Sequence, residues 1–327
     1  MSKTASFPKH VFLEITIECN LRCVQCDIYT LTNPPNEITL EARQAVVRQV
    51  GAWHPSIRVV VSGGEPFVRR PMLYAIADTC REAGVYATIS TNGTLVSEED
   101  TVRLPTSGVR CVVVSLDSDE RSVHDQIRGV PGTFDRAVRS IKRLVAARER
   151  SGTDFTVLTS TIIGRHNLGR VTEMVTFFES LGVDTTLFQP LQPVFARQVE
   201  ARWWSNTPLF PDDMPMIDRG IDSLIALRSA GRRLFQTTQQ FEDMRTYFRH
   251  PGRLPIGQCD SMNKHLMIDM FGDVRLCFNM ERIGLKPIGN VQHTQLQDLW
   301  AAVNTESVRS QMRCCTEGCG SMICHAR

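Results

Sequence analysis

The chain has 327 residues, a formal net charge of +2 and eleven cysteines. This length suits one large domain plus a smaller one, and the interspersed charges give no surface for a nucleic acid or a membrane. The N-terminus lacks the apolar segment of a signal peptide, no stretch approaches the ~18 apolar residues of a membrane span, and the clustered cysteines do not form a disulfide scaffold. We therefore expect a cytoplasmic protein.

Short β-rich runs alternate with helical periodicity from about residue 10 to 195. This alternation predicts βα units around a parallel sheet, either in a barrel or in a doubly wound arrangement. Helical faces are readable at 134–145 and at 171–181, and Asn167 is placed as the N-cap of the second. Strands are predicted at Val11–Ile17, Ile57–Val61, Tyr86–Ser90, Cys111–Leu116, Phe155–Ile162 and Thr185–Phe188.

Three closely spaced cysteines follow the first predicted strand. Cys19, Cys23 and Cys26 have the spacing C-x3-C-x2-C. A cubane iron–sulfur cluster takes four thiolates, so three cysteines leave one iron open to another ligand. An open position is how a metal site takes up substrate. A zinc knuckle or a reduced Cys-rich loop is the alternative interpretation.

A second motif, Ser62-Gly63-Gly64-Glu65-Pro66, closes the second predicted strand. Glycines allow the backbone to approach a ligand closely, because no Cβ intervenes. Glu65 and the neighbouring backbone supply acceptors for a cationic amine. Taken alone, the segment is equally typical of a type II turn.

Together the two motifs resemble the radical S-adenosylmethionine (AdoMet) superfamily. The resemblance implies a partial (β/α)6 barrel whose Cys19, Cys23 and Cys26 bind a [4Fe-4S] cluster. AdoMet would chelate the fourth iron, with Gly63, Gly64 and Glu65 at its amine. One position departs from the pattern, since Gln25 replaces the usual aromatic residue before the third cysteine. Relatives contact adenine there mostly through backbone, so the departure affects a detail.

Polar residues after the third and fourth strands are further candidates, because ligands of parallel sheets gather at the carboxyl ends of the strands. Asn92 and Ser115 occupy such positions. By resemblance they line the ribose and methionyl parts of AdoMet, and Arg128 pairs with its carboxylate through a bidentate fork. The alternatives are an ordinary Asn-Gly turn and a serine that only satisfies backbone groups.

The C-terminal cysteines form a second unit. Cys259, Gly272 and Cys277 follow the spacing C-x12-G-x4-C, and residues 267–276 read as a hairpin that turns at Gly272. This pattern resembles the SPASM and twitch subgroup, which carries auxiliary [4Fe-4S] clusters. Six cysteines after residue 258 are fewer than a two-cluster domain needs, so a twitch form with one auxiliary cluster fits better. A zinc ribbon with the same ligands is the alternative.

The remaining ligands of this auxiliary cluster would come from the tail. Cys319 and Cys324 are the first choice, with Cys315 next, and the surplus thiol of Cys314 or Cys315 is a candidate hydrogen-atom donor. The expected organisation is a barrel at 1–195, a partly helical connector at 196–257 and a small SPASM-like domain at 258–327. Cys80 and Cys111 are expected to be small core residues.

The resemblance implies an enzyme that cleaves AdoMet to a 5′-deoxyadenosyl radical and removes a hydrogen atom from a C–H bond. A flavodoxin- or ferredoxin-type protein would supply the electron. Since the first strand begins near residue 11, we expect no leader-binding module before it. This favours a sugar, aminocyclitol or nucleoside substrate of an antibiotic-type pathway, oxidised or epimerised.

Two other functions stay open. One is a maturase of ribosomal peptides, and the more distant one is a non-catalytic zinc or iron–sulfur protein, which would have no use for the Gly-Gly-Glu-Pro segment. The catalytic base is not identified by the sequence. Candidates for it are His124, His166, His265, Asp269 and Glu281.

Overall fold

The first six strands are parallel and follow one another in chain order across one sheet. A computed structural model describes residues 7–32, 35–193, 202–252 and 259–321. A doubly wound sheet would reverse direction at a switch point, and the sequential order excludes that alternative. The predicted partial (β/α)6 barrel is confirmed. Its strands are β1 His10–Thr16, β2 Arg58–Gly63, β3 Tyr86–Thr91, β4 Val109–Ser115, β5 Thr156–Ile163 and β6 Thr185–Pro190.

Helices connect these strands and cover one side of the sheet. The residues of β1 that face them, Val11, Leu13 and Ile15, are fully buried in the main core. Alternate residues point to the other side, which we call the inner face. It carries Phe12, Glu14, Val60, Ser62, Thr88, Ser90, Val113, Ser115, Leu158 and Ser160, none of them fully buried. The helices are α1 Leu40–Trp53, α2 Arg70–Glu82, α3 Glu98–Arg103, α4 Arg121–Arg128, α5 Thr133–Ser151 and α6 Val171–Ser180.

The described part of the connector, residues 202–252, covers the outer edge of β6. It forms α7 Met214–Ser229 and α8 Thr238–Arg249. Phe235 donates its backbone N–H to Thr186, and Gln236 bonds both backbone groups of Phe188. These contacts satisfy the backbone groups that an edge strand leaves unpaired.

The predicted C-terminal hairpin is confirmed, and it extends the barrel sheet. Strands β7 His265–Ile268 and β8 Asp273–Arg275 are antiparallel, with Gly272 between them at a φ of 84°. β7 lies parallel to β1, so the barrel and the hairpin share one sheet. A short strand and two helices follow: β9 Gly289–Asn290, α9 Leu296–Ala301 and α10 Val303–Met312.

Asn167 does not cap α6, and this prediction was wrong. The cap position of α6 is Arg170, and Asn167 precedes a separate single turn of 3-10 helix. Its side-chain amide donates to the backbone oxygens of Asp117, at 2.7 Å, and Ile162, at 2.9 Å. Asn167 therefore ties together the loops that follow β4 and β5.

No helix in the described ranges has the length and apolar character that crossing a membrane requires.

Candidate functional site

The loop of the three cysteines lies against the end of α4. Arg22 and Val24 donate backbone N–H groups to the carbonyls of Arg128, at 3.2 Å, and Ile127, at 2.9 Å. Gly129 then ends α4 in the left-handed region, at a φ of 69°. A Cβ on Gly129 would lie 2.0 Å from the backbone oxygen of Arg22. The helix end therefore sets the position of the cysteine loop.

The donor set of this loop fits an iron–sulfur cluster. Cys23 is buried, and Cys19 and Cys26 are half-buried. Burial raises the pKa of all three thiols, that of Cys26 to about 11, and neighbouring sulfurs raise the pKa of Cys19 and Cys26 further. Metal binding displaces thiol protons, so iron can use these sulfurs as thiolates. The described His, Cys, Asp and Glu side chains do not form a closed metal-binding group.

The glycines of the second motif approach the protein's own backbone. A Cβ on Gly63 would lie 2.1 Å from the oxygen of Thr16, and one on Gly64 would lie 2.1 Å from the oxygen of Glu18. Gly64 and Glu65 also donate backbone N–H groups to these two oxygens, at 2.6 and 2.8 Å. Both glycines thus allow the segment to pack against the start of the cysteine loop.

Glu65 is fully buried, and its carboxylate is occupied by protein donors. It accepts from the backbone N–H of Phe67, at 3.1 Å, the hydroxyl of Thr91, at 2.7 Å, and the backbone N–H of Asn92, at 2.7 Å. Burial raises the pKa of Glu65, and these donors oppose the rise. The side chain therefore organises the site, and backbone groups of the segment remain to meet a ligand amine.

Asn92 joins the end of β3 to the cysteine loop. Its amide donates to the side-chain oxygen of Asn20 at 2.9 Å, and Asn20 donates to Thr94 at 2.8 Å. Ser115 lies farther along the inner face, in register with Ser160 of β5. The structure thus brings Asn92 to the triad, while Ser115 lines the open sheet.

Arg128 lies between the triad and Asp117. Its guanidinium is 2.7 Å from the Asp117 carboxylate and 3.9 Å from the sulfur of Cys23. Burial alone would lower the pKa of Arg128, but Asp117 and Cys23 raise it, so the group is charged. The Nε of Arg128 is buried without a hydrogen bond in the described residues. Sequence reasoning missed Asp117, although its place after β4 was a signal.

Gln25 also presents a buried oxygen without a hydrogen-bond partner in the described residues. Gln25 lines a small cavity beside the cysteine loop. Unsatisfied buried polar atoms are rare in native proteins unless a ligand completes them. Gln25 and Arg128 therefore fit a polar ligand such as AdoMet. The walls of the cavity are Val24, Gln25, Ile127, Ile162, Gly164, His166, Asn167, Leu191 and Leu209.

Four C-terminal cysteines are near neighbours. Burial raises the pKa of Cys259, to about 11, and of Cys277, and the sulfurs of Cys315 and Cys319 raise both further. Cys314 is exposed on the surface. Cys324 lies outside the described residues. The described chain therefore brings together Cys259, Cys277, Cys315 and Cys319, which matches the number of thiolates in a [4Fe-4S] site.

Asn279 and Gln192 complete this second cysteine site. Asn279 donates its backbone N–H to Cys277, at 3.2 Å, and its amide to Cys319, at 3.3 Å. Hydrogen bonds to cluster sulfurs are one of the factors that set a reduction potential. Gln192, just beyond β6, donates to Ser321 at 3.1 Å. The C-terminal tail thus contacts the residues that follow β6, the strand at the opposite edge of the sheet from β9. The sequence did not predict this contact.

The candidate bases are mostly engaged elsewhere. His124 accepts from the backbone of Asp117 at 3.1 Å, and burial lowers its pKa to about 4. Burial lowers the pKa of His265 to about 3. Asp269 and Glu281 both pair with Arg275, at 2.6 and 2.7 Å. His166 lies at the surface beside the Gln25 cavity.

Cys80 is fully buried and Cys111 half-buried.

Fold and site together define an iron–sulfur protein that binds AdoMet at the carboxyl ends of a partial barrel. The chain belongs to the radical SAM superfamily, whose family profile matches residues 13–178. Residues 259–321 match the SPASM iron–sulfur cluster-binding domain. Membership implies a [4Fe-4S] cluster with AdoMet, an auxiliary cluster site and an enzymatic radical reaction.

Several known proteins are similar to this chain. An AdoMet-dependent heme synthase of Methanosarcina barkeri is 32% identical over 176 residues, which is 54% of this chain and 48% of that protein. The mycofactocin maturase MftC of Mycobacterium tuberculosis is 28% identical over 264 residues, 81% of this chain and 63% of MftC. The chain therefore spans about half of the first relative and less than two thirds of the second.

The fold is shared with solved structures. SuiB of Streptococcus suis bound to S-adenosylmethionine superposes with a TM-score of 0.71 at 17% identity, over 96% of this chain and 73% of SuiB. At this identity the likeness concerns the fold alone.

Proposed function

We propose that this protein is a radical AdoMet enzyme that modifies a peptide. The observation that carries the proposal is the extent of the similarity to the maturase MftC. Its 264 matched residues exceed the barrel match at 13–178, so the likeness continues into the C-terminal part. The match to the heme synthase covers 176 residues. A shared barrel supports shared radical generation, whereas likeness beyond the barrel bears on the substrate.

The sequence analysis placed a sugar, aminocyclitol or nucleoside first and a peptide second. The similarity to MftC favours the second, because MftC is named a maturase. A sugar, aminocyclitol or nucleoside substrate stays a prediction.

The residues of the barrel would hold the cofactors as follows. When bound, the cluster and AdoMet supply a 5′-deoxyadenosyl radical that removes a hydrogen atom from substrate. Cys19, Cys23 and Cys26 would ligate the iron, and the backbone at Gly63–Glu65 would accept from the AdoMet amine. Arg128 would bind the AdoMet carboxylate while Asp117 fixes its orientation. Asn92 would hold the cysteine loop against β3, and Ser115 would line the inner face beside AdoMet.

Cys259, Cys277, Cys315 and Cys319 are the proposed ligands of the auxiliary cluster. The proximity of Cys315 to the other three supports it as a ligand, while Cys324, the other candidate, lies outside the described residues. Besides Cys324, Cys314 is then a surplus thiol. Its exposure argues against a hydrogen-atom donor, since a radical intermediate must be sheltered from solvent. Epimerisation with Cys314 as the donor is therefore disfavoured.

Replacing Cys315 with alanine should remove most of the auxiliary iron, because one of the four thiolates is lost. Cys314→Ala is the matched control, one residue away, and should keep its iron. Iron and sulfide content per chain, measured after anaerobic reconstitution, would distinguish the two. Wild-type iron content in both variants would show that Cys315 is not a ligand.

The proposed function is tested with a synthetic peptide encoded by the short reading frame nearest to the gene. The reconstituted protein, AdoMet and dithionite should yield 5′-deoxyadenosine together with a change in peptide mass. An iron porphyrin, assayed in parallel, represents the heme synthase relatives. A mass change in the porphyrin with an unmodified peptide would overturn the proposal.

A further inference from the structure

Glu14 is a carboxyl group of the inner face that the functions assigned above leave unused. It lies on β1, five positions before Cys19, and it points away from the helices because Leu13 and Ile15 on either side are fully buried. In the sheet Glu14 is in register with Ser62, which directly precedes the Gly63–Glu65 segment. Glu14 therefore faces the space beside the AdoMet motif.

The same stretch of β1 adjoins the second cysteine site. Phe12, the next residue on the inner face, contacts the ring of Phe278 at a centroid distance of 4.9 Å. Phe278 directly follows Cys277. The inner face of β1 thus runs between the AdoMet motif on β2 and the auxiliary cysteines after β8. A substrate that reaches both sites must cross this face.

Asp269 lies beside Glu14 at the end of the paired strand. β7 pairs with β1 through Leu13 and Ile268, so Glu14 and Asp269 are the next positions along the two strands. Arg275 of β8 donates to Asp269 at 2.6 Å and to Glu281 at 2.7 Å. One carboxylate of the pair is thus neutralised by an arginine, and the other, Glu14, has no ion pair among the described residues.

This arrangement raises the proton affinity of Glu14. Burial and then the charge of Asp269 raise the pKa of Glu14 to about 7, while Arg275 opposes the rise. Arg43 of α1 approaches only the backbone oxygen of Glu14, at 3.5 Å, and its own charge pairs with Glu37. A group with a pKa near the working pH is suited to general acid–base catalysis.

We propose that Glu14 is the residue of the inner face that accepts a proton from the substrate. Asp269, held by Arg275, is its positioning residue. In the step, a substrate N–H or O–H bond breaks and a Glu14 O–H bond forms, with no further reactant. The substrate class is accordingly a peptide whose reacting carbon neighbours an N–H or O–H group. The inference rests on the proposed radical function.

Its first test needs no substrate. Infrared spectra of the reconstituted holoenzyme should show a carboxylic-acid C=O band that titrates with a midpoint near pH 7 and is absent in Glu14→Gln. Asp269→Asn should move the midpoint to lower pH, because the charge that raises the Glu14 pKa is gone. Glu98→Gln, at an exposed carboxyl of α3, is the control and should leave the band unchanged. The inference would be overturned if the band were still present in Glu14→Gln, or if its titration midpoint were the same in Asp269→Asn as in the wild type.

The second test uses the synthetic peptide. Loss of a general base lowers turnover by roughly 100-fold or more, and Glu14→Gln should show this loss. Asp269→Asn should instead shift the acid limb of the pH–rate profile by the same amount as the infrared midpoint. Turnover of Glu14→Gln within a few-fold of wild type contradicts the assignment. A wild-type enzyme that leaves the peptide unmodified while the infrared titration behaves as expected contradicts the peptide function instead.

Glu14→Gln is expected to fold. The pKa of Glu14 in the folded protein lies above its ordinary value of 4.5, so ionising Glu14 costs stability as the pH rises from about 4.5 to about 7. The neutral amide avoids that cost. The variant should therefore be at least as stable as wild type at neutral pH, and an activity loss in a protein with normal iron content reports on chemistry.

Discussion

Replacing Cys19, Cys23 and Cys26 together with alanine should abolish 5′-deoxyadenosine formation and remove about four irons per chain, the content of one [4Fe-4S] cluster. The three thiols lie in one loop that follows β1 and packs against the end of α4; Cys23 raises the pKa of Cys19, and both raise that of Cys26. AdoMet cannot be cleaved reductively without the cluster. The measurements are iron content and 5′-deoxyadenosine in the presence of dithionite.

The matched control removes three other thiols, in Cys80→Ala, Cys111→Ala and Cys314→Ala together. None of these is placed in either cysteine site, so iron content should stay at the wild-type value. About four irons should remain in the triad variant if the tail holds one cluster. About eight irons remaining there would contradict the single auxiliary cluster.

Gly129→Ala should weaken both the fold around α4 and the loading of the triad. Gly129 has a φ of 69°, and a Cβ would lie 2.0 Å from the backbone oxygen of Arg22 in the cysteine loop. Left-handed strain and a backbone clash together cost about 2–4 kcal/mol. The loop must also move to relieve the clash. We expect a lower midpoint of chemical denaturation and a partial loss of triad iron.

Gly84→Ala is the matched control, because it introduces left-handed backbone strain without a steric clash. Gly84 follows α2 with the same φ of 69°, but a Cβ there meets nothing within 4 Å. The strain alone costs about 1 kcal/mol and should leave the iron content unchanged. If the two variants lose equal stability and both keep their iron, the contact between α4 and the cysteine loop does not position the triad.

Much of the fold was predictable because it depends on local patterns. The six barrel strands, the long helix after Gly132 and the hairpin at Gly272 all lie where periodicity and turn residues indicated. The order of the strands was not predictable, since the alternation of strands and helices is common to barrels and doubly wound sheets. Asn167 illustrates a local rule overridden by tertiary structure, because its amide donates to the backbone oxygens of Asp117, 50 residues away, and of Ile162 rather than capping a helix.

The candidate site was predictable where a motif concentrates the chemistry. The triad and the Gly-Gly-Glu segment are local, whereas the pairing of Arg128 with Asp117 and the neighbours of Cys319 arise only when distant segments meet. Glu14 was missed because, in the sequence, it is an ordinary polar residue alternating with apolar ones. Its partner Asp269 comes from the opposite end of the chain, so no spacing rule connects them.

The pairing of β1 with β7 also governs how the chain is assembled. The strand that leads into the triad emerges early in synthesis, but its second neighbour, His265–Ile268, emerges late. Until then one side of β1 exposes unpaired N–H and C=O groups, and such an unpaired strand edge can form hydrogen bonds with strands of other chains. Completion of the barrel sheet therefore awaits the late residues, and iron insertion into a stable triad loop becomes a late event in biogenesis.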